Sequence, residues 1–197
     1  MDNIKASYDL IKEMKRMKVP FLLLEPNEPI PESVSAVISF HAKKCDYANK
    51  VVYDGNAKRT ILRALSLSSP SKSEKDGFFD LVVVGIDPGK RTGMAILADG
   101  ELIEAHTLSE EDLEKEVLGI LEDYPAHIIV FRLGKGEISK RVLDIIRRDA
   151  RAKIEFVDET KMSVPSKYRA KKLRKDARSA LIIALSGKVD HSKVQVL

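Results

Sequence analysis

One run constrains this chain more than any other. Leu81-Val82-Val83-Val84-Gly85-Ile86-Asp87 is a continuous, mostly aliphatic stretch closed by a carboxylate. An apolar run of this length predicts a strand covered on both faces, at the centre of a sheet. Pro88-Gly89-Lys90 is turn chemistry, Thr92–Ala98 a second strand, and Asp99-Gly100 a strong hairpin signal leading to a third strand, Leu102–Leu108. Glu104 and His106 are expected on the outer face of that third strand. Ser109 with Asp112 resembles a capping box, and Leu113, Val117, Ile120 and Leu121 give the following helix its apolar stripe. Ile128–Phe131 reads as a fourth strand. Ile138, Val142, Ile145 and Ile146 make a helix, and Ile154–Asp158 a fifth strand. Residues from Tyr168 to Ser186 are expected as one last helix, closed by Gly187.

Three strands joined by tight turns, then αβαβα, is an uncommon order. Right-handed crossovers place the fourth strand beside the first and the fifth outside it, giving the spatial order 3-2-1-4-5. The carboxyl ends of the first and fourth strands then border the crevice where open α/β sheets usually carry function.

The chain ahead of this run differs in composition. Ser66–Gly77 is Ser-rich, polar and broken by Pro and Gly, so it reads as a linker. The expected organisation is a small α/β domain at residues 1–66, a linker at 67–79 and the larger domain at 80–197. In the first domain, residues 4–17 have helical spacing through Ile4, Tyr8, Ile11 and Met14. Val19–Leu24 is an apolar run expected as a buried strand, followed by strands at Val34–Phe40 and Val51–Tyr53. Asp54-Gly55-Asn56 should cap a helix over Ala57–Leu65.

No apolar run approaches the roughly 18 residues of a membrane span, and the first residues lack a signal-peptide pattern. Cys45 is the single cysteine, which excludes an intramolecular disulfide or a cysteine-based zinc site. A cytoplasmic location with no membrane partner is the expectation. Without Trp, and with aromatics at 6%, a stacking platform for single strands is not expected. His106 and His127 read as structural histidines, and Cys45 as a small buried hydrophobe.

Three acids stand out by position: Asp87 at the end of the central strand, Glu159 after the fifth strand, and Asp176 just before the apolar run Ala177–Leu185. In the 3-2-1-4-5 order they can converge at one sheet edge. Hard oxygen ligands without nearby Cys or His favour Mg²⁺ or Mn²⁺, and two such ions clamp a phosphodiester. Each acid also has an ordinary explanation. Asp-Pro-Gly is a common turn, Asp158 and Glu159 suit a helix entry, and Asp176 can pair with neighbouring cations.

The residues resemble a known family. Val84-Gly85-Ile86-Asp87-Pro88-Gly89-Lys90-Arg91-Thr92-Gly93 is similar to the first motif of RuvC-type Holliday junction resolvases and their YqgF-type relatives. Val157-Asp158-Glu159-Thr160 resembles the YqgF-type motif after the fifth strand, and Asp176–Ala184 the last motif, an Asp opening an apolar helix. The motifs stand in family order across residues 82–186. The resemblance implies an RNase H-like fold, with Asp87, Glu159 and Asp176 as metal-binding carboxylates of a Mg²⁺- or Mn²⁺-dependent phosphodiesterase. RuvC-type resolvases carry a Glu on the fourth strand. Here that strand has no acid until Glu137 and is followed by Gly134-Lys135-Gly136, closer to the YqgF-type pattern. Ser179 and Ala180 stand three and four residues after Asp176, where the RuvC pattern has a second acid. The pairing with residues 1–80 is similar to uncharacterised archaeal proteins that carry a RuvC-like domain.

Charge divides the larger domain. Residues 80–131 hold three Lys or Arg against twelve Asp or Glu; residues 132–178 hold sixteen against seven. The densest basic run, Lys167, Arg169, Lys171, Lys172, Arg174 and Lys175, leads into Asp176, and Lys90 and Arg91 follow Asp87. Cations beside a carboxylate site suit a phosphodiester substrate; they also suit a solvated helix face. The leading expectation is an endonuclease acting on structured nucleic acid, a DNA junction or structured RNA. Junction resolution needs two active sites, which leaves a homodimer open. The alternative is a nucleic-acid-binding module on the same fold without catalysis. A sugar-kinase or actin-like ATPase is a third reading, disfavoured by the absence of a second glycine-rich phosphate loop.

Overall fold

The computed structural model describes residues 2–25, 28–41, 47–69, 76–157, 168 and 173–186. The chain divides into two compact units: Met1–Asp80 with Gly119–His127, and Leu81–Leu118 with Ile128–Leu197.

In the first unit, α1 (Asp2–Met17) packs on α2 (Ala57–Ser68), and two short strands, β1 (Val37–Ser39) and β2 (Lys50–Val52), pair in parallel. Asn56 is the expected cap of α2, accepting from the Arg59 amide at 3.0 Å. Asp54 supports the same turn. Burial acts to raise its pKa, but hydrogen bonds from Arg59, the Asn56 amide and Thr60 win and bring it below the ordinary value. The small core gathers Leu10, Val51, Ile61, Leu62 and Leu67.

One expectation fails in this unit. The apolar run Val19–Leu24 is neither a strand nor buried: Phe21, Leu22, Leu23 and Leu24 are exposed and outside any sheet. A strand needs a partner ladder for its backbone as well as apolar side chains, and β1 pairs only with β2 among the described residues. On α1, Ile4 and Tyr8 are exposed, and the buried residue is Leu10.

The second unit is built on a five-stranded mixed sheet. Its strands are β3 (Phe79–Asp87), β4 (Thr92–Ala98), β5 (Glu101–Leu108), β6 (Ala126–Leu133) and β7 (Ala152–Phe156). The spatial order is β5-β4-β3-β6-β7, the 3-2-1-4-5 arrangement expected from connection handedness. β3, β4 and β5 are antiparallel neighbours, and β6 and β7 run parallel. Asp99 and Gly100 take φ of +46° and +81°, the doubly positive turn that matches strand twist in a two-residue hairpin. Ser109 opens α3 (Glu110–Asp123): its hydroxyl accepts from the Asp112 amide and donates to the Asp112 carboxylate, so the acid returns to the side chain of the cap. Ser139 caps α4 (Lys140–Arg148), which packs on β7.

The last helix is shorter than expected. α5 runs Lys175–Leu185, and Arg174 is its N-cap, with extended backbone and no side-chain capping bond. Leu173 and Arg174 interrupt what the spacing suggests is a single helix from Tyr168. Consecutive cations repel one another and are unfavourable at the positive end of a helix dipole, whereas Asp176 in the first turn is favourable there. Gly187 and Cys45 lie outside the described residues.

α5 lies against β4 and β5, where Ala180, Leu181 and Ala184 meet Val83, Ala95, Leu97 and Leu102. Two strand glycines permit this approach. A Cβ on Gly85 would fall 2.1 Å from the Ala180 carbonyl oxygen, and one on Gly93 2.1 Å from that of Asp176. The far end of α5 is held by Arg132 on β6. This buried guanidinium donates to the Ala184 carbonyl at 2.6 Å and to the Glu155 carboxylate at 2.8 Å. A cation at the carbonyl end of a helix is favourable on dipole grounds as well. Tyr168 is buried on the same core, its hydroxyl donating to the Gly100 carbonyl.

Because the obstructing atoms at Gly85 are backbone, Gly85→Ala must lift α5 from the sheet. Chemical denaturation should record a loss of about 1–3 kcal/mol, the usual cost of overpacking. An unchanged midpoint would refute the close seating.

Candidate active site

Asp87 is the last residue of β3, the central strand. It pairs with Gly93 across the turn to β4, and Gly93 in turn lies against the backbone of Asp176 in α5. Strand alternation puts Asp87 on the same face as Val83 and Gly85, the α5 side. Asp87 and Asp176 therefore meet, and Ser179, one turn along α5, hydrogen-bonds the Asp87 carboxylate. Burial first, and then the Asp176 charge, push the Asp87 carboxyl above its ordinary range; the Ser179 hydrogen bond and the Lys175 charge act the other way. Both acids are half-buried, with Lys175 and Arg174 exposed at the start of the helix.

The loop after β6 completes one wall. The Gly134 amide donates to the Ile86 carbonyl at 2.9 Å. At Gly136, with φ of +155°, a Cβ would lie 2.8 Å from that of Pro88. A side chain there would press on the Asp87-Pro88-Gly89 turn. Lys90 and Arg91 are exposed in that turn. Glu159 and the basic residues Lys167, Arg169, Lys171 and Lys172 lie outside the described residues. Of the three expected carboxylates, the structure brings together Asp87 and Asp176.

A half-buried carboxylate close to a second one is chemically suited to a hard divalent cation, which neutralises both. β6 itself supplies no acid; its Arg132 is engaged with Glu155 and the Ala184 carbonyl, toward the far end of α5.

Among the described residues, one further group could hold a metal ion: Glu104, His106 and Glu116. Glu104 and His106 are expected on the outer face of their strand. They share a face, but Glu104 is only 9% exposed, and the α3 residue Glu116 stands over His106. The strand motif Glu-x-His is visible in the sequence; its third member comes from a helix ten residues further on, whose docking the sequence does not report.

Comparison with known proteins gives partial matches. A family model, the response regulator receiver-like domain, matches residues 2–68. No curated protein matches the chain. Among solved structures, RuvC of T. thermophilus in complex with a Holliday junction substrate is similar over 54% of this chain and 91% of its own, at 16% identity and a TM-score of 0.42. The Fowlpox virus resolvase in complex with Holliday junction DNA covers 45% of this chain and 67% of its own, at 18% identity and a TM-score of 0.28. No helix among the described residues is long and apolar enough to cross a membrane.

The raised Asp87 pKa has a definite sign. The folded state keeps the Asp87 proton to higher pH than the unfolded chain does. The penalty of the ionised carboxylate is therefore absent below the unfolded value near 3.8 and fully present above the folded one. In metal-free buffer, Asp87→Asn should melt above the wild type at pH 7, and the difference should vanish near pH 3. Equal melting temperatures at both pH values would contradict the arrangement.

Proposed function

We propose that the second unit is a divalent-metal-dependent nuclease acting on structured nucleic acid, with four-way DNA junctions as the first substrate to test. The observation that carries this reading is the meeting of Asp87 and Asp176 at the carboxyl end of the central strand, beside the N-terminus of α5. Asp87 and Asp176 would hold Mg²⁺ or Mn²⁺, and Glu159, from the segment after β7, would be the third ligand. A bound ion of this kind supplies Lewis acidity and lowers the pKa of water for attack on a phosphodiester.

The chain's own residues have three tasks in this scheme. Asp87 and Asp176 present acceptor oxygens from two rigid elements, so their separation is set by packing rather than by a loop. Ser179 hydrogen-bonds the Asp87 carboxylate and favours its ionised form. Lys90, Arg91, Arg174 and Lys175 are exposed around the two acids and would neutralise flanking phosphates, with Lys167, Arg169, Lys171 and Lys172 extending the same basic run. Contacts of this type position a substrate without reading its sequence.

Arg132 favours a second reading. A buried cation on β6, where resolvases of the resembling family have an acid, reduces the number of available metal ligands. On that reading the unit binds nucleic acid without cutting it.

The two readings separate in one assay. The full chain is incubated with junction, duplex and structured RNA substrates in Mg²⁺ or Mn²⁺. A nuclease should cut at least one, and Asp87→Asn and Asp176→Asn should each slow cutting by roughly a hundredfold or more, the equivalent of several kcal/mol. Salt-dependent binding without cleavage would select the binding module. In either case, replacing Arg174 and Lys175 with Glu should weaken binding and lower the slope of log K against log salt by about one per lost phosphate contact. Binding at an unchanged slope would remove both residues from the interface.

A further inference from the structure

β5 alternates its side chains, so Glu104 and His106, two residues apart, emerge on one face. Their partners in the ladder are Ile96 and Met94 of β4, both fully buried, whereas Ala95 and Leu97 face α5. Glu104 and His106 thus stand on the opposite side of the sheet from Asp87 and α5. α3 passes over this side and brings in Glu116. Its Oε1 is 3.6 Å from His106 Nε2, and the ligand atoms of all three residues lie within 4.8 Å of one another.

Carboxylates close together on an acidic surface are common and need no ion. Two features set this group apart. One donor is an imidazole nitrogen, which suits zinc-like transition metals more than Mg²⁺. The 3.6 Å separation is within ion-pair range for a protonated His106, and it also suits two ligands of one ion: bonds of about 2.1 Å in a tetrahedral site put neighbouring donors roughly 3.4 Å apart. The remaining ligand, Glu104, is 9% exposed and rigidly placed in the strand.

We propose that Glu104, His106 and Glu116 form a transition-metal site of the Zn²⁺ class, with Mn²⁺ a weaker occupant, that fastens α3 to β5. Three protein ligands leave one tetrahedral position for water. The site does not depend on the proposed nuclease reading, since it shares no residue and no sheet face with Asp87 and Asp176.

The test is calorimetric titration of Zn²⁺, Mn²⁺ and Mg²⁺ into the full chain carrying Asp87→Asn and Asp176→Asn, with thermal melting alongside. The expected result is one tightly bound Zn²⁺, a higher Tm with Zn²⁺, and no measurable effect of Mg²⁺. Adding His106→Gln or Glu116→Gln should each weaken Zn²⁺ binding at least tenfold and abolish the Tm rise. Glu116 lies on a helix surface, so its variant should keep the wild-type fold, as circular dichroism would record. Zn²⁺ affinity within twofold of the parent in both variants, or no Zn²⁺ binding by the parent, would overturn the proposal.

Discussion

The seating of α5 on the sheet is the contact on which the rest of the second unit depends. It is closer than side chains would permit, because Gly85 and Gly93 leave helix backbone resting on strand backbone. The two glycines sit on adjacent strands and receive different turns of the helix, Asp176 at one and Ala180 with Ala184 at the other. The helix is thereby fixed in both position and rotation. Arg132 pins its far end through the Ala184 carbonyl. Side-chain packing alone would tolerate small shifts; backbone contact at two points does not.

This seating determines the chemistry of the site. Asp176 enters the first turn of α5 directly over Gly93, the ladder partner of Asp87, so the two acids meet because the helix cannot sit elsewhere. Burial first, and then the neighbouring Asp176 charge, raise the Asp87 pKa, and Ser179 and Lys175 offset part of this. Stability and site geometry pull in opposite directions here, as they commonly do where like charges are held together for a ligand.

The two faces of the sheet carry different donor sets. The α5 face presents carboxylates and a hydroxyl, suited to a hard cation. The α3 face presents two carboxylates and an imidazole, suited to a borderline one. The charge division along the sequence follows the same line: the acidic half supplies β3, β4, β5 and α3, the basic half the segments leading to α5.

Much of the sheet was legible in the chain because its signals are local. The aliphatic run 81–87, the Asp99-Gly100 turn and the amphipathic stripes specify elements, and connection handedness then orders the strands as observed. Local signals failed where an element's fate depends on partners. Val19–Leu24 has the composition of a buried strand but no ladder to join. The Tyr168–Ser186 expectation missed the interruption at Leu173 and Arg174, because helical spacing does not register repulsion among cations at a helix start. By itself the sequence determined the elements of the sheet, the strand order, and Asp87, Glu159 and Asp176 as candidates. Only the tertiary structure decided that these two acids meet, that Arg132 is buried against α5, and that Glu116 joins Glu104 and His106. Such contacts join residues distant along the chain, and they depend on how closely one backbone can approach another.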